Sequence, residues 1–424
     1  MNIGIVDADL LGRENHRFPN LVCEKLSCYW KEQGAFVSLI LDREYSWLLF
    51  EGGKLGSLDV PHYDRIYVSK VFTDTWVPDQ LLQFTNTDGH GRIGNTDVFI
   101  GGTGFYFDKA PNLPDEIEHH MPDYHLYDDW IACELEKAKK QAEAKGKTFK
   151  EAAFTQQFKE YTDYSIGFLT RGCFRKCEFC VNKKYNNVFK HSPLSEFYDP
   201  SRKKICLLDD NFFGCAQWKP LLQELIDTGK QFKFKQGMDE RIMTEEKCEM
   251  LFHANYDGDY TFAFDNIADY DLIKSKLELI HKYIITRPRN LKVSVKFYVL
   301  VGFESTDAED IRNAFRRIEL LMEYGCLPYV MRYQNKNYSP WKDSRYRGLY
   351  ISLARWANQP SMIKKMSFRQ YCEANQLRIK TVNHLAAPMK ALILFERENP
   401  EIAAHYFDLR FDQLHDLGGA HHEQ

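Results

Sequence analysis

No stretch of the 424-residue sequence approaches the roughly eighteen consecutive apolar residues that a membrane-spanning helix needs. The longest apolar segment, about 297–303, has the length of a strand. The opening residues Met1-Asn2-Ile3-Gly4-Ile5-Val6-Asp7 lack the basic flank of a secretory signal and run directly into a strand pattern. A cytoplasmic protein with no membrane partner is the expectation. Neither sign of charge dominates. The net charge is −4 with 27% charged residues, too balanced to mark a nucleic-acid binder by charge alone. With 44% hydrophobic residues the chain is too apolar for disorder. It has no internal repeat and no low-complexity segment. Nor does it carry a disulfide framework: its eleven cysteines are odd in number and spread over a long chain. Eight of them (Cys23, Cys28, Cys133, Cys206, Cys215, Cys248, Cys326 and Cys372) are scattered, and scattered cysteines are usually small core residues. The other three are clustered, and clusters mean metal or redox chemistry.

The order of patterns predicts an α/β chain. Strand patterns at 3–7, 37–41, 65–72 and 98–102, with an amphipathic helix at 20–34, predict a Rossmann-like parallel sheet in a domain spanning 1–110. Residues 111–160 read as a connector: acidic and histidine-bearing at 115–129, then a charged helical stretch broken at Gly146. Residues 161–335 alternate again. Strands at 164–169, 204–208, 231–235, 259–264, 293–301 and 328–333 are interleaved with helices at 218–228, 245–253, 270–283 and 308–324. That order suits a partial (β/α)6 TIM-type barrel, whose chemistry lies on loops after the strands' C-terminal ends. Residues 336–424 read as a helical, basic C-terminal extension.

Directly after the first of these barrel strands stands Thr170-Arg171-Gly172-Cys173-Phe174-Arg175-Lys176-Cys177-Glu178-Phe179-Cys180, with spacing C-x-x-x-C-x-x-C. Three thiolates on one short loop suit three irons of a 4Fe–4S cluster, where four would saturate it. The fourth iron is then open to an exchangeable ligand. A zinc site is the competing reading, but it wants a fourth ligand. His191 is the nearest candidate, and no second C-x-x-C pair exists. Three core cysteines are a poorer fit to a basic, glycine-bearing loop.

The run Gly167-Phe168-Leu169-Thr170-Arg171-Gly172-Cys173 through Cys180 resembles the cluster loop of radical S-adenosylmethionine (radical SAM) enzymes. The closest likeness is to the branch with an N-terminal cobalamin-binding-like domain, and it spans roughly residues 1–335. The resemblance implies that Cys173, Cys177 and Cys180 ligate a 4Fe–4S cluster and that SAM chelates the open iron. Reductive cleavage of SAM then yields a 5′-deoxyadenosyl radical that abstracts a substrate hydrogen. It implies further roles at matching positions. Phe179 would pack beside adenine, and Val301 and Gly302, in Val299-Leu300-Val301-Gly302-Phe303-Glu304, would line it with backbone. Asp265 would bind the ribose hydroxyls, Arg241 would pair with the SAM carboxylate, and Asn211 would face the site from the turn after the second strand. Each of these residues also fits a strand-end polar position or a helix N-cap. Where many members have a glycine–glycine–glutamate-like turn for the SAM amine, this chain has Asp209-Asp210-Asn211.

The cobalt-ligating D-x-H-x-x-G motif is absent: Asp7-Ala8-Asp9-Leu10-Leu11-Gly12 lacks the histidine, although His16 is near. Cobalamin is therefore a secondary expectation, and the N-terminal domain reads as a degenerate scaffold. A second cluster is not expected, because Cys23 and Cys28 are five apart on a helix and do not share a face; with Cys133 they read as core. Between Met331 and Phe395 twelve Lys or Arg face two acids, a net +10, interleaved with Tyr333, Tyr338, Trp341, Tyr346, Tyr350, Trp356 and Tyr371. That combination suits RNA, and equally a solvated helical face. Arg171, Arg175, Lys176, Lys183, Lys184 and Lys190 make the cysteine loop basic, which suits docking of a reduced flavodoxin or ferredoxin-type electron donor. RNA modification is the leading expectation. The alternatives are a peptide, protein or small-molecule substrate, or a cluster-binding sensor without turnover.

Overall fold

The computed structural model describes residues 1–41, 63–78, 81–82, 85–285, 294–335, 338–381 and 384–414. Val293, expected to open a strand, lies outside the described residues, as do 42–62 of the N-terminal domain and 415–424 of the extension. The chain is a mixed α/β protein with parallel sheets. It divides into two compact units: Met1–Phe174, Cys180–Asp209 and Asp227–Phe232 in the first, and Arg175–Phe179, Asp210–Ile226 and Lys233–Gln424 in the second.

The first unit opens with strands β1 (Asn2–Asp7), β2 (Phe36–Leu39), β3 (Arg65–Ser69), β4 (His90–Ile93) and β5 (Thr96–Gly101). They form one sheet in the order β2-β1-β3-β5-β4. The β1–β2, β1–β3 and β3–β5 pairs are parallel. The fifth strand, β4, has no strong apolar alternation and was not legible in the sequence. It joins as an antiparallel edge, with Ile93 paired to Thr96. The buried faces of β1 and β3 pack on the helix Leu21–Glu32 on one side and on Tyr63, Val77 and Leu81 on the other. That helix begins where Asn20 accepts the N–H groups of Val22 and Cys23 at 3.2 and 3.4 Å. Asp7 does the same for the short turn Ala8–Gly12. After β5 the chain turns at Gly102 against the backbone of Lys70. Gly102 has φ +103°, and a Cβ there would strike the Lys70 carbonyl.

The connector is helical over Asp128–Ala144, stops before Gly146 and resumes at Glu151–Thr155. Trp130 holds it down against Tyr127, Phe158 and Tyr161. Next come β6 (Tyr164–Gly167), the two-residue strands β7 (Thr170–Arg171) and β8 (Phe189–Lys190), β9 (Lys204–Leu207) and β10 (Gln231–Phe234). β6 and β9 are parallel, the order is β10-β9-β6, and β7–β8 is a separate antiparallel pair. β6 is an edge, and Tyr124 covers it. The Ile166 N–H donates to the Tyr124 hydroxyl at 2.7 Å, and that hydroxyl donates to the Phe197 carbonyl at 2.6 Å.

In the second unit β11 (Tyr260–Ala263), β12 (Val295–Val301) and β13 (Leu327–Arg332) form a parallel sheet in chain order. Met238 bridges to Phe262 in the parallel sense. β12 alternates strictly, burying Val295, Phe297, Val299 and Val301. The helix Ala308–Glu323 buries Ile311, Ala314, Phe315, Ile318 and Leu321. The C-terminal extension is helical as expected, over Arg347–Ala357, Phe368–Leu377, Ala387–Glu398 and Pro400–Tyr406. Its aromatics are mostly core. Tyr350, Trp356, Trp341 and Tyr371 are buried, and Trp356 and Phe368 pack on Phe315.

Tyr124→Phe keeps the ring and removes the hydroxyl, leaving a buried N–H and a buried carbonyl without that partner. The variant should lose about 1–3 kcal/mol, read as a lower denaturant midpoint for the first unit. An unchanged midpoint would mean that the β6 edge does not depend on this hydroxyl.

Candidate functional site

The cysteine loop leaves β7 through Gly172, which has φ +89° and whose missing Cβ makes room for the Asn187 carbonyl. Two carboxylates hold the loop's base within the first unit. Asp209, just past β9, accepts the Thr170 N–H and the Thr170 hydroxyl, both at 2.6 Å, and the Leu169 N–H at 3.3 Å. This is the first residue of the Asp209-Asp210-Asn211 turn, and its carboxylate is committed to the backbone and hydroxyl just before the cysteine loop. Glu118 receives Arg171 at 3.1 Å, His191 at 2.9 Å and Lys25 at 3.6 Å. Burial acts to raise the Glu118 pKa, but the His191 hydrogen bond and the Lys25 and Arg171 charges outweigh it and hold the carboxyl at about 2. His191, the candidate fourth zinc ligand, is thereby engaged at Glu118. At the loop's far end Cys180 Sγ accepts the Asn182 N–H at 3.3 Å. Cys173, Cys177 and Cys180 are all half-buried, whereas six of the scattered cysteines are buried. The expectation that Cys23, Cys28 and Cys133 are core holds for Cys23 only. Cys28 is half-buried and Cys133 exposed on the polar connector helix.

The middle of the loop, Arg175–Phe179, belongs to the second unit. There Arg175 Nε donates to Asp239 Oδ2 at 2.8 Å. Arg241 Nε donates to the other oxygen of Asp239 at 2.7 Å, and its Nη1 to Asp269 at 2.9 Å. Arg241 thus holds two carboxylates already. A cavity of about 360 Å³ opens at the C-terminal ends of β11 and β12, lined among others by Cys177, Phe179, Arg241, Asp265, Phe303 and Arg317. Phe179 meets the edge of Phe303 at 5.6 Å, and Phe303 meets Tyr333 at 4.8 Å. Four of the expected site residues therefore share one cavity. Val301 and Gly302 sit between two of its lining residues, Leu300 and Phe303, and do not line it themselves. Val301 is buried, and the Gly302 N–H donates to Asp310 Oδ2 at 2.8 Å. Asn211 is buried at the turn Phe212–Gly214 and is likewise not among the described lining residues. Cys173 and Cys180 belong to the first unit.

Arg317 is the site residue that the sequence reading missed. It is 2% exposed. Its Nη1 donates to the carbonyls of Phe264 and Asp265 at 2.9 and 2.8 Å, and its Nη2 to that of Leu300 at 2.9 Å. One guanidinium therefore satisfies the ends of two parallel strands. The signal was present: Arg317 lies three residues after Ala314 and four before Leu321, on the apolar face of an amphipathic helix. Asp310, also unmarked, accepts from both Gly302 and the Tyr350 hydroxyl. Burial raises the Asp265 carboxyl to about 6, opposed by the Arg317 charge and the Leu300 N–H.

Comparison with protein-family models finds none that matches the chain, and comparison with curated proteins finds no match.

The Asp265 shift predicts a pH dependence. A carboxyl raised from 3.8 to about 6 binds a proton in the folded state that the unfolded chain has released. Its stabilising contribution is complete below about pH 4 and is lost as pH rises through about 6. Asp265→Asn should remove up to about 3 kcal/mol of that decline, leaving a flatter midpoint-versus-pH curve in denaturant titrations. An unaltered slope would assign the decline to other buried acids, such as Asp7 at about 7 and Glu240 at about 8.

Proposed function

We propose that this chain is a radical SAM enzyme, with a 4Fe–4S cluster held by Cys173, Cys177 and Cys180. The observation that carries the reading is the cavity at the ends of β11 and β12, where Cys177, Phe179 and Asp265 meet. The donor set suits the cluster: three half-buried thiols within eight residues of chain, on a loop whose base is held by Asp209 and Glu118. When bound, the reduced cluster supplies the electron that cleaves the C5′–S bond of SAM, giving methionine and a 5′-deoxyadenosyl radical that takes a hydrogen atom from substrate. The chain's own residues bind and orient. Phe179 and Phe303 offer apolar rings to adenine, and Asp265 offers acceptor oxygens to the ribose hydroxyls. Arg241 lines the cavity as the candidate for the SAM carboxylate, its charge shared with Asp239 and Asp269. In this reading β6, β9, β10, β11, β12 and β13 are the staves of a partial barrel, and β1–β5 form a Rossmann-like scaffold. Cobalamin is not needed.

RNA remains the leading substrate class, by phosphate attraction to C-terminal cations such as Arg355 and Lys364 rather than by stacking. Most aromatics of that segment are core. A reduced flavodoxin or ferredoxin-type protein is the electron donor the reading calls for, and a reducing cytoplasm the compartment. Among the described residues no helix is long and apolar enough to cross a membrane.

The test is anaerobic reconstitution with iron and sulfide, addition of SAM and a strong reductant, and measurement of 5′-deoxyadenosine. The wild type should form it. Cys173→Ala, Cys177→Ala and Cys180→Ala should each lose both iron and product, and Cys133→Ala neither. An intact cluster without SAM cleavage would favour a sensor, and zinc in place of iron would overturn the proposal. For RNA, replacing Arg355, Lys364 and Lys365 with Ala should flatten the slope of log affinity against log salt by up to about 2. An identical slope would count against RNA on this face.

A further inference from the structure

Two observations in the first unit point to a metal site away from the cysteine loop. Cys28 and Glu32 are four residues apart on the helix Leu21–Glu32 and therefore share a face. His120, just beyond the turn Asp115–Glu118, meets that face. One ligand atom from each of the three residues lies within 4.8 Å of the other two. Cys28 Sγ is 4.0 Å from Glu32 Oε1, and Glu32 Oε2 is 3.0 Å from His120 Nε2. Bonds of 2.0–2.3 Å at tetrahedral angles require donor separations of about 3.5 Å, and with the three ligand atoms all within 4.8 Å of one another a closing movement of about 1 Å by the exposed Glu32 carboxylate reaches that value. The second observation is the orientation of the imidazole. His120 Nδ1 is 3.1 Å from the Met121 carbonyl, the contact that fixes a metal-binding histidine with Nε2 toward the ion.

We propose that Cys28, Glu32 and His120 form a three-ligand site for a divalent cation of the Zn²⁺ class. Sulfur, nitrogen and oxygen together select a borderline-soft cation over Mg²⁺ or Ca²⁺. Three protein ligands leave a fourth position to solvent, and Glu32 at 63% side-chain exposure keeps the site reachable. The ion would join the helix Leu21–Glu32 to the segment that carries Glu118, the carboxylate holding Arg171 at the base of the cysteine loop.

The test uses the full chain with Cys173, Cys177 and Cys180 each changed to Ser. No loop thiol then contributes, and the outcome is independent of the proposed cluster chemistry. Co²⁺ is titrated in, the thiolate-to-cobalt absorption is followed, and Zn²⁺ is added as competitor. One Co²⁺ per chain should bind with a thiolate band that Zn²⁺ removes. Adding Cys28→Ser should abolish the band. Glu32→Ala or His120→Ala should weaken binding at least about tenfold, and Cys133→Ser should change nothing. Absence of the band, or its survival in Cys28→Ser, would overturn the proposal. Should Cys28→Ser fail to fold, the solvent-exposed Glu32→Ala decides, and unchanged affinity there would be equally fatal.

Discussion

A single buried guanidinium organises the second unit. Parallel strands end in carbonyls that the next strand does not satisfy, and at β11 and β12 these ends face a cavity. Arg317 reaches out of the helix Ala308–Glu323 and donates to three of them. The cost of burying its charge is offset by those carbonyls and by the neighbouring carboxylates Asp265, Asp310 and Glu304. The same charge tempers the rise of the Asp265 pKa, so a carboxylate can stand in a desolvated cavity near neutral pH. Asp310 turns the arrangement outward: it takes the Gly302 N–H and the Tyr350 hydroxyl, tying the end of β12 to the C-terminal helices.

The first unit solves a different problem with the opposite sign. A short cysteine loop cannot bury enough apolar surface to fix itself, so its base is held by charge-assisted hydrogen bonds. Asp209 grips the backbone before the loop, and Glu118 gathers Arg171, His191 and Lys25. Arg171 and Arg175 are both basic members of the loop. They pair with Glu118 and Asp239, and Lys184 donates to the Ala110 carbonyl at 3.1 Å.

Much of the fold was legible because its signals are local. β12 alternates at period two, the helix 308–323 carries its apolar residues at three- and four-residue spacing, and Asn20, Asp307 and Ser367 cap helices as their types suggest. β4 was missed because its short polar edge depends on pairing with β5 rather than on its own pattern. The C-terminal aromatics were ambiguous for a related reason. A ring beside a cation has the same sequence signature in a core as on a stacking surface, and only burial separates the two.

The sequence by itself determined the C-x-x-x-C-x-x-C spacing, the alternation of strands and helices, and the glycine at the loop's entry, because each follows from covalent order and local backbone preference. Tertiary structure decided which charges have partners. Arg241 meets Asp239 and Asp269, Asp209 meets Thr170, and Cys28 and Glu32 meet His120 across some ninety residues of chain. Such meetings depend on the packing of distant segments, and no local pattern encodes that.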